Sequence, residues 1–336
     1  MLRSFYSGVS GLKVNQVKLD VIGNNIANVG TTAFKSSRVR FKDMVSQNVT
    51  ESAAPGISQG GVNPKQVGLG VQISGIDTMV GQGMMQPTSR NLDVAMDGEG
   101  YLMLAKGTVP ATNAGGVTLN PDSTINTSNG MSLSYTRDGA LTLDNNGNLL
   151  NSDGLRVMGY AIKGGGNTSL DYVAGKPTLS YVDANSALTP DTTLIPLVIP
   201  EKITDPNDAT KTLRITTFSI EKDGSIKAVL EDGKVSVLGQ IAVASFKNPA
   251  GLSKVGGNTY ESTSNSGLSV VRSGIGATTD NSSGYGDMLQ GMLEMSNVDL
   301  AEQFTDMIIA QRAFQASGKS ITTGDEILQE LIGLKR

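Results

Sequence analysis

Apolar residues at the two ends of the chain recur at spacings of three and four, whereas those in the middle alternate. Near the start, Leu2, Phe5, Val9, Leu12, Leu19 and Ile26 share one seam, interrupted by Gln16 and Gly23. Near the end, Leu300, Phe304, Met307, Phe314, Ile321, Leu328 and Ile332 repeat the spacing, interrupted by Gln311, Gly318 and Asp325. This is a coiled-coil period and predicts a long helix at each terminus. Each would run ~40–50 Å at 1.5 Å per residue. Ser296 or Asn297 is expected to cap the second helix, with Asp299 in its first turn. Tyr6, Val14, Val17, Val21 and Ile22 widen the first apolar face, and Ile308, Ile309, Leu331 and Leu334 widen the second. One partner helix cannot cover faces that broad, and the middle offers no bundle. The surplus faces are therefore expected to pack between copies of the chain.

The middle reads as β. Leu92 to Leu104 alternates around Asp97-Gly98-Glu99-Gly100, which predicts a hairpin. Further Asp-Gly pairs at Asp138, Asp153, Asp223 and Asp232 are flanked by alternating runs. DGLRVMGYAI and DGKVSVLGQIAV resemble one another and suggest an internal β repeat. Between Gly164 and Asp208 lie five of the eleven prolines, with many Thr, Asp and Asn. Proline is poor in central strands, so this stretch reads as an outer β module set into an inner one. Met288, Met292 and Met295 fit one face of a helix, either as core or as an adaptable sliding contact.

The expected fold is α+β and nested: terminal long α-helices packing as a coiled-coil-like tube core, with all-β domains between them. A terminal helical assembly domain takes residues 1–30 and 296–336, and a connector takes 31–75 and 280–295. An inner β domain takes 76–160 and 235–279, and an outer β domain takes 161–234. The helix from Met1 runs into NNIANVGTTAFK. Asn24, Asn25 and Asn28 can satisfy backbone groups at a helix end or bridge to a neighbour, and Gly30 can permit a sharp exit. With Phe34, these residues form the expected connector joint.

Composition narrows the chemistry. The chain of 336 residues has no His, no Cys and no Trp, and a formal net charge of −4. Disulfides, thiolate nucleophiles and the usual structural zinc sites are excluded, and the commonest general base near neutral pH is missing. The mild charge, with no basic patch, argues against nucleic acid. No continuous apolar run opens the chain or reaches membrane-spanning length. The expectation is a cytoplasmic protein, or one exported without cleavage and not inserted in a membrane. Asp144, Asn146 and Asn148 begin like a calcium loop, but Leu149 and Leu155 stand where Gly and Glu are required. The Ser-x-x-Lys of Ser10 to Lys13 lacks its partner motifs, and no glycine run has phosphate-loop spacing. A polysaccharide hydrolase would need a convergent carboxylate pair, and the acids are scattered over turns and helix surfaces. The expectation is no catalytic site, no metal and no cofactor.

Longer blocks carry a resemblance. MLRSFYSGVSGLKVNQVKLDVIGNNIANVGTTAFKSSRVRF, LDVAMDGEGYLML, YTRDGALTLDNNGNLLNSDGLRVMGY, IAVASFKNPAGLSKVGGNTYESTSNSG and the C-terminal EMSNVDLAEQFTDMIIAQRAFQASGKSITTGDEILQELIGLKR resemble, in order, the bacterial flagellar rod and hook family. Gly30 stands where that family usually has Asn, and Ala33 where it usually has Gly. The first residues, the SNVDLAEQF block and the last turns are nearer the hook members than the distal rod members, which are the alternative. Those are usually shorter and lack a large outer insertion, so the outer β module also favours the hook. The resemblance implies a structural subunit of a curved helical homopolymer outside the cell, a universal joint passing torque from rod to filament. It implies type III export and neighbours at each end: the distal rod protein below, and the hook cap, then the hook–filament junction protein, above.

Overall fold

The computed structural model describes residues 2–52, 54–56, 60–205, 208–273 and 286–334, without the side chains of residues 2, 3 and 208–210. The glycine-rich run from Gly256 to Tyr285, ahead of the last helix in the sequence, falls partly outside these residues. The chain divides into two compact units. One comprises Met1–Gly30, Lys35–Gly81 and Asn297–Arg336; the other comprises Thr31–Phe34 and Gln82–Ser296.

The first unit holds both helices, α1 (Leu2–Ala27) and α2 (Leu300–Gly333). They pack antiparallel: Gly8 lies against Ile321, Gly11 against Ser317 and Gly324 against the ring of Phe5. A methyl group on Gly8 or Gly324 would come within 2.9 Å of those side chains, so glycine sets the closeness of approach. Asp299 caps α2, its carboxylate accepting from the amides of Ala301 and Glu302. This moves the cap from the expected Ser296 or Asn297, and the anion gains the helix dipole as well. After α1, Ser37–Asp43 pairs antiparallel with Val71–Thr78, and Ser46–Thr50 with Lys65–Gly68, as a ribbon. Every residue of the second pair is exposed.

Among the described residues, the longer segment of the second unit is built mainly of β-strands, with two short 3-10 turns at Asn113–Gly115 and Pro249–Gly251. Tyr101–Lys106 pairs antiparallel with Ser132–Thr136, Arg156–Gly164 and Val243–Ser245. Arg156–Gly164 pairs in turn with Thr189–Pro196 and Val235–Ile241. Asp208–Ile220, Ser225–Leu230 and Val235–Ile241 form a meander, turned at Asp223-Gly224 and Asp232-Gly233. Gly224 and Gly233 adopt φ of 79° and 77°, which is why glycine follows aspartate there. One apolar cluster unites these strands, with Leu104, Leu141, Val157, Ile195 and Ala228 fully buried. Residues 161–234 contribute to that cluster together with residues from either side of them.

The two loosely similar segments are neighbours. Gly159 pairs with Ile241 and Tyr160 with Gln240. Both segments place a glycine, Gly159 and Gly239, against the side chain of Leu197, where a Cβ would fall within 2.5 and 2.8 Å. A glycine on each segment thus leaves room for one leucine.

Two local expectations are corrected. Leu92–Leu104 does not close into a hairpin: Val94–Asp97 pairs with Asp287–Gln290, and Tyr101–Lys106 joins the main sheet. Gly98 and Gly100, at φ of 118° and 137°, turn the chain out of the first ladder, and Arg137 holds both carbonyls. The methionines Met288 and Met292 lie on strands, Asp287–Gln290 and Met292–Glu294, broken by Gly291 at φ 75°. Partners on distant strands outweighed a helical spacing that spans only a few residues.

Candidate assembly surface and joint

Within the first unit the seams divide into a covered and an uncovered part. Phe5 and Ile321 lie in the α1–α2 contact against Gly324 and Gly8. Leu12, Leu19, Ile26, Met307 and Leu328 are half-buried. Val9, Leu300, Phe304, Phe314 and Ile332 stay exposed, Phe304 at 51% and Ile332 at 69%. The side chain of Leu2 lies outside the described residues. The positions most covered within the chain are Gly8, Gly11, Val14, Ile22 and Asn25 on α1 and Ala310 on α2. That face is rotated from the apolar seam by about one residue, ~100° of helix. Small residues let the two backbones close on each other, and of the seam residues Val9, Leu300, Phe304, Phe314 and Ile332 are left facing outward. Tyr6, Ile308, Ile309, Ile327, Leu331 and Leu334 enlarge the outward apolar surface. Soluble monomers seldom leave so much apolar helix face open.

The asparagines bond within the chain. Asn25, 1% exposed, donates through Nδ2 to the Ser37 carbonyl at 2.8 Å and to Gln303 Oε1 at 3.0 Å. Its Oδ1 accepts from the Ser37 amide at 3.0 Å. One amide therefore ties the end of α1 to the ribbon and to α2. Asn28 Nδ2 donates to the carbonyl and Oδ1 of Asn24, both at 2.9 Å, which closes the helix end. Gly30 lies in open space and outside the left-handed region. The residue that does turn there is Ala33, at φ 55° and 2% exposed. This is the position where the resembled family usually carries Gly, and left-handed backbone costs an L-residue about 1–2 kcal/mol.

Sequence reasoning missed two polar hubs. In the first unit, Asn297 accepts from the Ser36 amide at 2.7 Å and donates to the carbonyls of Met79 and Gly81. Beside it, buried Lys35 donates to the Gly81 carbonyl at 2.9 Å. In the second unit, Ala33 donates to the Glu294 carbonyl at 2.8 Å, and Gly83 donates to the Glu294 carboxylate at 2.8 Å. Arg137 Nη1 faces that carboxylate at 3.7 Å, and the two side chains are 3% and 0% exposed. Phe34 lies under Lys254, whose ammonium is 4.8 Å from the ring centre. Burial pushes the nearby Tyr101 phenol up to about 12, against the opposing pull of Arg137. Glu294 and Asn297 lie in the quoted EMSNVDL block, but only long-range partners reveal their roles. Among the described residues no three His, Cys, Asp or Glu side chains gather to hold a metal. Among the described residues no helix is long and apolar enough to cross a membrane.

The comparisons fall on these same elements. "Flagella basal body rod protein" matches residues 5–35, which hold most of α1 and the joint. "Flagellar hook protein FlgE/F/G D1 domain" matches 132–228, and "Flagellar basal body rod FlgEFG protein C-terminal" matches 289–334. The chain is 40% identical to flagellar basal-body rod protein FlgG of Bacillus subtilis (strain 168), over 100% of both chains. It belongs to the flagellar rod and hook family. It is also 33% identical to flagellar hook protein FlgE of Borreliella burgdorferi, again over 100% of both. The crystal structure of Helicobacter pylori flagellar hook protein FlgE2 shows a loose likeness, with a TM-score of 0.39 and 11% identity over 62% of this chain and 100% of that one. As a family member the chain is a structural protein of the flagellum and not an enzyme.

Proposed function

We propose that the protein is the flagellar hook subunit, polymerising through its terminal helices into a curved tube outside the cell. The observation that carries self-assembly is the bulky apolar surface left open on both helices: Val9, Phe304, Ile308, Ile309, Phe314 and Ile332. Heterologous contacts through such a surface build a helical filament where their rotation does not close a ring. The hook placement is supported by the hook-like terminal blocks. It is supported also by exposed Met79 and Met84, at 41% and 84%, since methionine repacks readily as neighbours shift. Export through the flagellar type III apparatus, and contacts with the rod below and the cap and junction proteins above, belong to this proposal.

The distal rod is the second reading, and two findings favour it. The FlgG relative aligns over 336 positions, needing no gap in this chain, whereas the FlgE alignment runs to 448. The D1 description also takes in most of residues 161–234, so that stretch does not itself mark a hook. Electron microscopy of the purified polymer separates the two. Curved, supercoiling tubes and rescue of a strain lacking its hook subunit support the hook. Straight rigid tubes and rescue of a strain lacking its distal rod subunit transfer the assignment to the rod.

A further inference from the structure

The first unit carries both a cleft and a knob that its own chain cannot bring together. The cleft, about 390 Å³, is lined by Tyr6, Val9, Ser10 and Lys13 of α1 and by Met44 and Leu69 of the ribbon. Apart from Lys13 and the Ser10 hydroxyl, these side chains are predominantly apolar. The knob is the last part of α2. Gly8 lies opposite Ile321 and Phe5 opposite Gly324, which sets Leu2, the first residue of α1, level with about position 327 of α2. Leu331, Ile332 and Leu334 lie beyond that point, at 48%, 69% and 84% exposed. Asp325, Glu326 and Glu330 accompany them, with no basic residue between Gly324 and Leu334.

We propose that the cleft receives the overhanging end of α2 from a second copy, with Lys13 facing the acidic residues of that end. The proposal rests on the self-assembly reading and names the contact. Three observations select the occupant: an apolar end left exposed at Leu331, Ile332 and Leu334, an apolar cleft beside Val9 on the open face of α1, and the acidic Asp325, Glu326 and Glu330, ahead of the closing Lys335 and Arg336, to meet Lys13 in the cleft. The same chain cannot supply the end. By the helix register Val9 is level with residue 320, and Ile332 lies ~18 Å further along the axis at 1.5 Å per residue. Because cleft and knob are different surfaces, each copy offers one of each, and the contact is heterologous and passes from copy to copy.

The chain contains no cysteine, so a disulfide reports this contact directly. Val9→Cys and Ile332→Cys in one chain are expected to yield, on oxidation of the polymer, a ladder of covalent oligomers. Disulfide closure needs Cα atoms within ~7 Å, so the ladder should exceed that of either single variant by roughly tenfold. Mixing the two single variants should give covalent dimers and nothing larger. Separately, Lys13→Glu should slow polymer growth, and Glu330→Lys, Glu326→Lys or Asp325→Lys in the same chain should restore it. Polymers that form normally yet give no ladder with Val9→Cys paired to Leu331→Cys, Ile332→Cys or Leu334→Cys overturn the proposal and leave self-assembly standing. If the cysteine variants do not polymerise, failure of every charge pair to restore growth overturns it. Absence of any polymer from the unaltered chain would instead overturn the self-assembly reading.

Discussion

The two units handle apolar residues in opposite ways. In the β unit, Leu104, Leu141, Leu149, Val157, Ile162 and Leu194 are all 0% exposed. In the helical unit, α2 buries only Ala310 below a tenth exposure, while Phe304, Ile308, Ile309 and Ile332 remain more than half exposed. The difference lies in what the chain supplies. The β unit has strands enough to close a core on itself, whereas two helices and a ribbon cannot enclose two broad apolar faces. The first unit is therefore incomplete alone, and the second is complete.

The largest expected effect exploits that contrast. Phe314→Asp places a charge on a surface that is open in the free chain and that the proposed assembly covers, where an unpaired charge is strongly disfavoured. Sedimentation and microscopy should find polymerisation abolished, while the thermal midpoint of the soluble chain stays put. Normal tubes would refute the assignment of that face. In the β unit the polarity reverses. Glu294→Ala leaves Arg137 buried without its carboxylate and should cost about 3–5 kcal/mol in denaturant unfolding. Leu104→Ala should cost about 2–5 kcal/mol by opening a cavity in the cluster. Both should lower stability without removing the assembly surface on the helices.

Smaller effects sharpen the boundary. Asn25→Ala leaves both backbone groups of Ser37 without their partner and should cost about 1–3 kcal/mol, seen as faster amide exchange at the end of α1. Ala33→Gly relieves left-handed backbone but loses a buried methyl group and frees the unfolded chain. These terms oppose one another, and the net change should stay within about 1 kcal/mol. A drop well beyond that in calorimetry would show that the methyl group matters more than the backbone strain.

How much was legible locally depended on the range of the interaction. Helix existence was readable because a long periodic pattern repeats one physical requirement many times. Helix caps and strand partners were not. Asp299 took the cap from Ser296 and Asn297 because Asn297 was already engaged with Ser36, Met79 and Gly81. Met288 joined a strand because Met96, almost two hundred positions earlier, was there to pair with it.

The sequence by itself determined the α+β arrangement, the absence of thiol and imidazole chemistry, and the family. Each follows from residue identity or from patterns repeated along the chain. Only the tertiary structure decided which helix face is used up at home. Gly8, Gly11 and Gly324 allow α1 and α2 to approach through their small residues, turning the larger ones outward. It decided too that Asn25 binds Ser37 and Gln303 within its own chain, and that Ala33, not Gly30, makes the left-handed turn. The physical reason is the same in each case. A hydrophobic period says that a face must be covered, and an amide says that it must be bonded, but neither names the partner.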